Sequence, residues 1–355
     1  MCNVSCSNKS YDCVNSDLKI KKIIDVSSKT LITRTNFDYK LLDKLNKNLI
    51  NFIYTSNKIN TRFIAVDGSI CYIPLVYSNN GYHLSQNKSC CKVLISGLVD
   101  VDTKIPINYG INKSMNERNA LVDQFKFLNK SDVLVLDRGY YSIDMLGDIY
   151  NNKLNAIFRL RSDLSILKNF GIKNDIITEI KLKNKSIKFR LIRFTIGNQY
   201  YYIGTTLIDK KQYNIDFFKI KYHQRWNIET NFRHLKYDLH CDQTNVKCEN
   251  KFKLNILSSQ FIFILATYFE YKLRNNIKID TKINTKNTLK IMYETILYNL
   301  LYNKPTVTTI NTLIDIFKII IKFVTKIIQD RVYDRVRKRP MGKWTSSGGT
   351  SGNNR

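Results

Sequence analysis

Three acidic residues stand where a carboxylate can do chemistry. Asp67 closes the short apolar run Arg62–Asp67, and Gly68-Ser69 follows it. Asp137 follows Asp132–Leu136, a run of apolar residues after one acid, and leads into Arg138-Gly139. A glycine within two residues lets the chain turn and leaves the carboxylate at a strand end. Carboxylates at adjacent strand ends can share divalent ions, and Mg²⁺ prefers such hard oxygen ligands. Taken singly, each aspartate also reads as an ordinary turn residue.

The third acid is Glu229, in the stretch from Tyr222 to Lys236. At about 100° per residue, with Tyr222 at zero, Arg225 falls near about −60°, Glu229 near about −20° and Lys236 near about −40°. The spacing therefore places one carboxylate among a phenol and two cations on one arc. Ile228, Phe232, Leu235 and Leu239 form a neighbouring apolar stripe. That pattern suits a helix lining a cleft, with Glu229 as a metal ligand and the cations facing phosphates. It equally suits a solvated face carrying an Arg225–Glu229 pair worth a few tenths of a kcal/mol.

The elements that must position these residues are legible in outline. Tyr39–Phe52 carries apolar residues at helical spacing. Arg62–Asp67, Cys71–Val76 and Lys92–Val101 read as strands. Met115–Leu128 reads as a helix, with Ser114 as N-cap and Glu117 three residues later as its capping-box partner. Asp132–Leu136 is the clearest buried strand, followed by a helix over Ile143–Asn151 and a strand over Ala156–Leu160. Ser186–Ile196 and Gln199–Ile208 flank Gly197-Asn198 as a hairpin. From about Phe217 to about residue 337 the pattern is helical. The order of elements predicts a mixed α/β chain. Its divisions are a short N-terminal segment (1–60), a first core part (61–162), a β-rich insertion (163–212), a helical region containing Glu229 (213–334) and a disordered basic tail (335–355).

Composition narrows the function classes. The chain has 355 residues, 43% of them hydrophobic, with 22 Tyr and 18 Phe, which excludes a disordered protein. Its net charge of +28 argues for a polyanionic partner. The richness in Lys, Asn and Ile matches AT-rich coding, which accounts for part of that charge. None of the eight cysteines forms a C-x2-C pair, and His240-Cys241 with Cys248 lacks a fourth ligand. Neither a structural zinc nor a disulfide framework is expected. The N-terminus has no apolar signal-peptide core. Leu254–Tyr271 and Ile310–Ile328 carry polar or charged residues, so core or amphipathic helices are expected rather than membrane spans.

Asp67 in A-V-D-G-S, Asp137 in L-D-R-G-Y-Y-S, and Y-x2-R-x3-E-x6-K from Tyr222 to Lys236 together resemble the DDE transposases of the insertion-sequence-four family. The similarity covers roughly residues 60–270. It implies an RNase H-like mixed sheet flanked by helices, with a β-rich insertion before the helix that carries Glu229, and a helical C-terminal region. It further implies that Asp67, Asp137 and Glu229 hold two Mg²⁺ ions, for which Mn²⁺ substitutes, and that Tyr222, Arg225 and Lys236 grip DNA phosphates. Arg138 is either another phosphate ligand or a surface arginine. Trp226 either stacks on an unpaired base or packs, and packing is the expectation. The implied partner is double-stranded DNA with terminal inverted repeats, bound by a homodimer. The implied place is inside the cell, on DNA and not at a membrane. An inactive DNA-binding descendant, and a nuclease that cuts without joining, share the same residues. The run Arg335–Arg339 reads as a solvated tail, a DNA contact or a nuclear signal.

Overall fold

Short apolar runs rich in Val and Ile build one nine-stranded mixed sheet, and helices flank it. A computed structural model describes residues 10–20, 26–182, 185–197, 199–242, 246–278, 280–292 and 307–326. The basic run Arg335–Arg339 and the expected tail lie outside the described residues, as does Asn198 of the hairpin turn. Helices α1 (Tyr11–Ile20), α2 (Ser28–Arg34) and α3 (Tyr39–Ser56) precede β1 (Phe63–Ile73), β2 (His83–Leu84), β3 (Cys91–Asp100) and β4 (Pro106–Asn112). Then come α4 (Glu117–Val122), β5 (Val133–Leu136), α5 (Ile143–Asn151), β6 (Asn155–Arg159), β7 (Asp175–Lys181), β8 (Ser186–Ile196) and β9 (Gln199–Thr205). The remainder holds α6 (Ile215–Gln224), α7 (Trp226–Arg233), α8 (Glu249–Leu273), β10 (Thr281–Ile283), α9 (Thr285–Ile291), α10 (Val307–Lys322) and β11 (Val324–Lys326).

The strands run in the order β2-β3-β1-β5-β6-β9-β8-β7, with β4 paired to β3. β1, β5 and β6 are parallel neighbours. β5 is buried along its whole length, which is why it reads as an unbroken apolar run. Strands β7 to β9 extend this sheet beyond β6 by antiparallel pairing.

The chain divides into two compact units. One comprises Ile50–Ser69 and Leu94–Phe232; the other comprises Met1–Leu49, Ile70–Val93 and Arg233–Arg355. In the first, Ile64, Val66, Leu134, Val135, Ile157 and Phe158 are fully buried, and α5 adds Leu146 and Ile149. In the second, α8 buries residues on every side, including Phe252, Ile256, Ile262 and Phe263. Its Leu257 carbonyl accepts from buried Asn46 of α3 at 3.0 Å. By length and composition alone Glu249–Asn276 is apolar enough to cross a membrane, but 67% of that window is buried inside the protein, as in a core helix.

Several expected elements differ. The strand expected to stop at Asp67 continues through Gly68 to Ile73, so Gly68 is not a turn. Pro74 ends it, and Leu75–Asn80 forms a 3₁₀ turn where a second strand was expected. The helix expected from Met115 starts at Glu117, because the Asn116 side chain accepts from the Arg118 and Asn119 amides. Ser114 is therefore not the N-cap, and Glu117 is not held in a capping box. The helical region is interrupted by β10, which pairs with β11. Helices α1 and α2, and strand β4, carry no periodicity strong enough to announce them.

Asp132 anchors the start of β5. It is fully buried, accepts from Arg62 Nε at 2.9 Å and also from Arg62 Nη2, and takes the Asn129 amide at 2.7 Å. Asp132→Ala leaves the Arg62 guanidinium buried without its partner, and is expected to cost about 3–5 kcal/mol in urea unfolding. Parent-like stability would show the pair to be dispensable.

Candidate active site

The register between β1 and β5 sets two of the acids. Ala65 pairs with Val135 in a parallel ladder. Two residues further along, Asp67 lies within β1 and Asp137 lies just past the end of β5. Asp67 is half-buried, within the continuing strand. Asp137 leaves the sheet at the end of β5, and its Oδ1 accepts the Gly139 amide at 2.8 Å. Two bonds from Arg118 of α4 to the Gly139 carbonyl, at 2.9 and 2.6 Å, hold that turn from outside.

Glu229 enters from α7. The segment from Tyr222 is not one regular helix. The Arg225 amide bonds the Tyr222 carbonyl and the Ile228 amide bonds the Arg225 carbonyl, so the coil tightens at Arg225. It then widens into a π-turn over His234–Asp238. Despite this, Ile228, Phe232, Leu235 and Leu239 are all buried, as the apolar stripe predicts. Arg225 is buried, with Nη2 donating to Glu229 Oε1 at 2.8 Å and Nη1 3.8 Å from Asp67 Oδ2. Its Nε is buried without a hydrogen-bond partner. One guanidinium thus joins two of the three expected acids.

Tyr222 is buried beside Arg225, and its hydroxyl also meets Arg159 at the end of β6. Burial pushes that hydroxyl's pKa up, Arg225 and Arg159 oppose the shift, and Asp137 adds to it. Arg159 was not evident from the sequence; the pairing of Leu136 with Phe158 puts it one residue on, beside the Asp137 position. Arg138 is exposed. Trp226 is 46% exposed, so the expected packing role is corrected; its ring lies 5.6 Å from the Arg225 guanidinium carbon. Lys236 falls in the π-turn, where 100° spacing no longer holds, and in the other compact unit. Its Nζ donates to the Ile70 carbonyl at 2.6 Å.

A fourth carboxylate joins the acids. Glu117 lies over Gly68, where an added Cβ would meet its Oε1 at 2.5 Å. Desolvation and the Asp137 charge push Glu117 up from its ordinary value, while Tyr140 opposes. Asp67 is pushed up to about 6, chiefly by burial, against the pull of Arg225 and the Gly68 amide, with Glu117 and Glu229 adding to the rise. The only sequence signal for Glu117 was the capping spacing, which pointed elsewhere.

All these donors are hard oxygens, the chemistry that Mg²⁺ and Mn²⁺ take. Burial chiefly raises Asp67, and a divalent cation would relieve the smaller part due to Glu117 and Glu229. In chemical type the donors suit such an ion. Among the described residues, no group of three or more His, Cys, Asp or Glu side chains converges as a ready coordination shell; Arg225 supplies the positive charge between Asp67 and Glu229.

Residues 59–265, more than half of the chain, match the family described as Transposase DDE domain. The chain belongs to that family. No curated protein matches it. The mixed sheet with flanking helices is consistent with a DDE transposase, a family of phosphoryl-transfer enzymes that generally use divalent metal ions.

In this DDE domain Asp67 has a folded pKa above its ordinary 3.8. Its ionisation therefore works against folding. Below about pH 4 both states are protonated and no penalty exists; it grows from there and is complete above about pH 6. Asp67→Asn in chelator is expected to stabilise the protein at pH 7 by on the order of 1–3 kcal/mol, and to leave it unchanged near pH 4. Denaturant melts at both pH values check this, and equal shifts would refute it.

Proposed function

We propose that this protein is an insertion-sequence-four-type transposase, which cuts DNA at the terminal inverted repeats of an element and joins the ends to a target. The observation that carries the reading is that Asp67 and Asp137 follow the paired residues of two parallel neighbouring strands, with Glu229 and Asp67 both beside Arg225. Asp67, Asp137 and Glu229 are the residues that would hold the divalent ions. Mg²⁺ or Mn²⁺ bound there supplies Lewis-acid stabilisation of the attacking and leaving oxygens in an in-line displacement. Water attacks in nicking and a DNA 3′-OH attacks in joining. The new oxygen–phosphorus bond forms, the bond to the leaving 3′ oxygen breaks, and that oxygen takes up a proton.

The protein's own groups orient the substrate. Arg225 presents a planar fork suited to two phosphate oxygens, and it can exchange a carboxylate for a phosphate. Tyr222 is held beside it. Lys236 and Arg138 extend the phosphate contacts. The net charge of +28 favours DNA as the partner and an intracellular, DNA-associated place. Two copies acting together on paired ends complete the reading.

The test uses the full chain with Mg²⁺ or Mn²⁺ and DNA carrying the inverted repeats that flank its gene. Nicked and then joined products are expected, and Asp137→Ala should abolish both without altering thermal unfolding. An Ala variant that cuts like the parent would overturn the site assignment; nicks without joined product would make the protein a nuclease. Lys236→Ala is expected to weaken DNA binding and to reduce the slope of log affinity against log salt by about 0.9, the loss of one phosphate contact. Binding titrations over a salt series measure this.

A further inference from the structure

We infer that Arg118 is a positioning residue for Asp137: its guanidinium holds the turn after β5 and so fixes where the Asp137 carboxylate sits. The inference rests on the reading of Asp137 as a residue of the reaction.

Arg118 belongs to α4, whose start is fixed by Asn116. That side chain accepts the Arg118 amide at 3.1 Å and the Asn119 amide at 3.2 Å. From this capped first turn the Arg118 side chain runs to a different segment. Its Nε and Nη2 both donate to the Gly139 carbonyl, at 2.9 and 2.6 Å, and Nη2 also reaches the Tyr141 carbonyl at 3.3 Å. Hydrogen bonds from an ionised donor are roughly twice as strong as neutral ones. A planar fork on two carbonyls also fixes direction, which a point charge does not.

The turn it grips is the one that orients Asp137. The Gly139 amide donates to Asp137 Oδ1 at 2.8 Å. Gly139 is therefore tied to the carboxylate by its amide and to Arg118 by its carbonyl. The approach is close: a Cβ on Gly139 would lie 3.1 Å from Asp137 Oδ1. Glycine has more backbone freedom than any other residue, so this link orients the carboxylate only while its carbonyl is held. The rest of the turn is anchored inward, with Tyr140 buried and the Tyr141 ring 5.5 Å from that of Phe158. Apolar anchors set depth and are non-directional. The bonds from Arg118 set the rotation of the Gly139 peptide.

Two readings on the full chain test this. The first is amide hydrogen exchange without DNA, followed by mass spectrometry. Arg118→Ala is expected to speed exchange over residues 137–141 by about 10-fold or more, with thermal unfolding unchanged. Exchange like the parent's would overturn the proposal. The second is nicking of the inverted-repeat DNA with Mg²⁺ or Mn²⁺. Arg118→Ala is expected to lower kcat by about 10-fold or more, with KM and the salt slope of DNA binding unchanged, because misplacing a reacting group costs rate and not affinity. Methylguanidinium added to that variant should restore part of kcat. A raised KM with a shallower salt slope would make Arg118 a phosphate contact and overturn the proposal. If Asp137→Ala is inactive and Arg118→Ala cuts like the parent, this inference fails while the site reading stands. If Asp137→Ala cuts like the parent, the site reading fails and takes this inference with it. Should Arg118→Ala not fold, Arg118→Lys, which keeps the charge and loses the fork, decides by the same two readings.

Discussion

The parallel hydrogen-bond register between β1 and β5 is the constraint on which the candidate site depends. The paired residues Ala65 and Val135 each lead, two residues on, to one of the expected aspartates, although 70 residues of sequence separate Asp67 from Asp137. A slip of one residue would turn one carboxylate to the far face of the sheet. The register is protected at its start by the buried Arg62–Asp132 pair and along its length by side chains with no exposure. A strand buried on both faces has no alternative pairing that keeps its apolar groups out of water.

On that frame the protein assembles charges that oppose one another. Asp67, Glu117 and Glu229 together raise the cost of ionising Asp67, and burial raises it further. Arg225 offsets part of that cost by joining Asp67 to Glu229. That guanidinium is held by carboxylates and keeps one buried N–H unpaired. The acids and the arginine are then interdependent. Asp67 and Glu229 are tolerable because Arg225 stands near both.

The β-rich stretch shares backbone hydrogen bonds with the rest of the sheet. β6 pairs with β5 on one side and β9 on the other, so the sheet continues into β8 and β7 without a break. The same continuity places Arg159 beside Tyr222. A cation at the end of a strand has no special spacing in a sequence so rich in lysine and arginine. Only the neighbouring strand gives it meaning.

By itself the sequence determined that β5 is buried and that Asp137 follows its end. β5 is readable as an unbroken apolar run, and α5 and the β8–β9 hairpin because each repeats one period that burial of one face enforces. The Tyr222–Lys236 spacing was readable for the same reason as far as Glu229. Past that point the π-turn altered the rotation per residue, and Lys236 could not be placed by counting. Tertiary structure alone decided that Gly68 is a point of close approach instead of a turn, and that Glu117 leans over it. These outcomes depend on contacts between distant segments. A local pattern records the period of an element, whereas the group that fills the space above it comes from elsewhere in the chain.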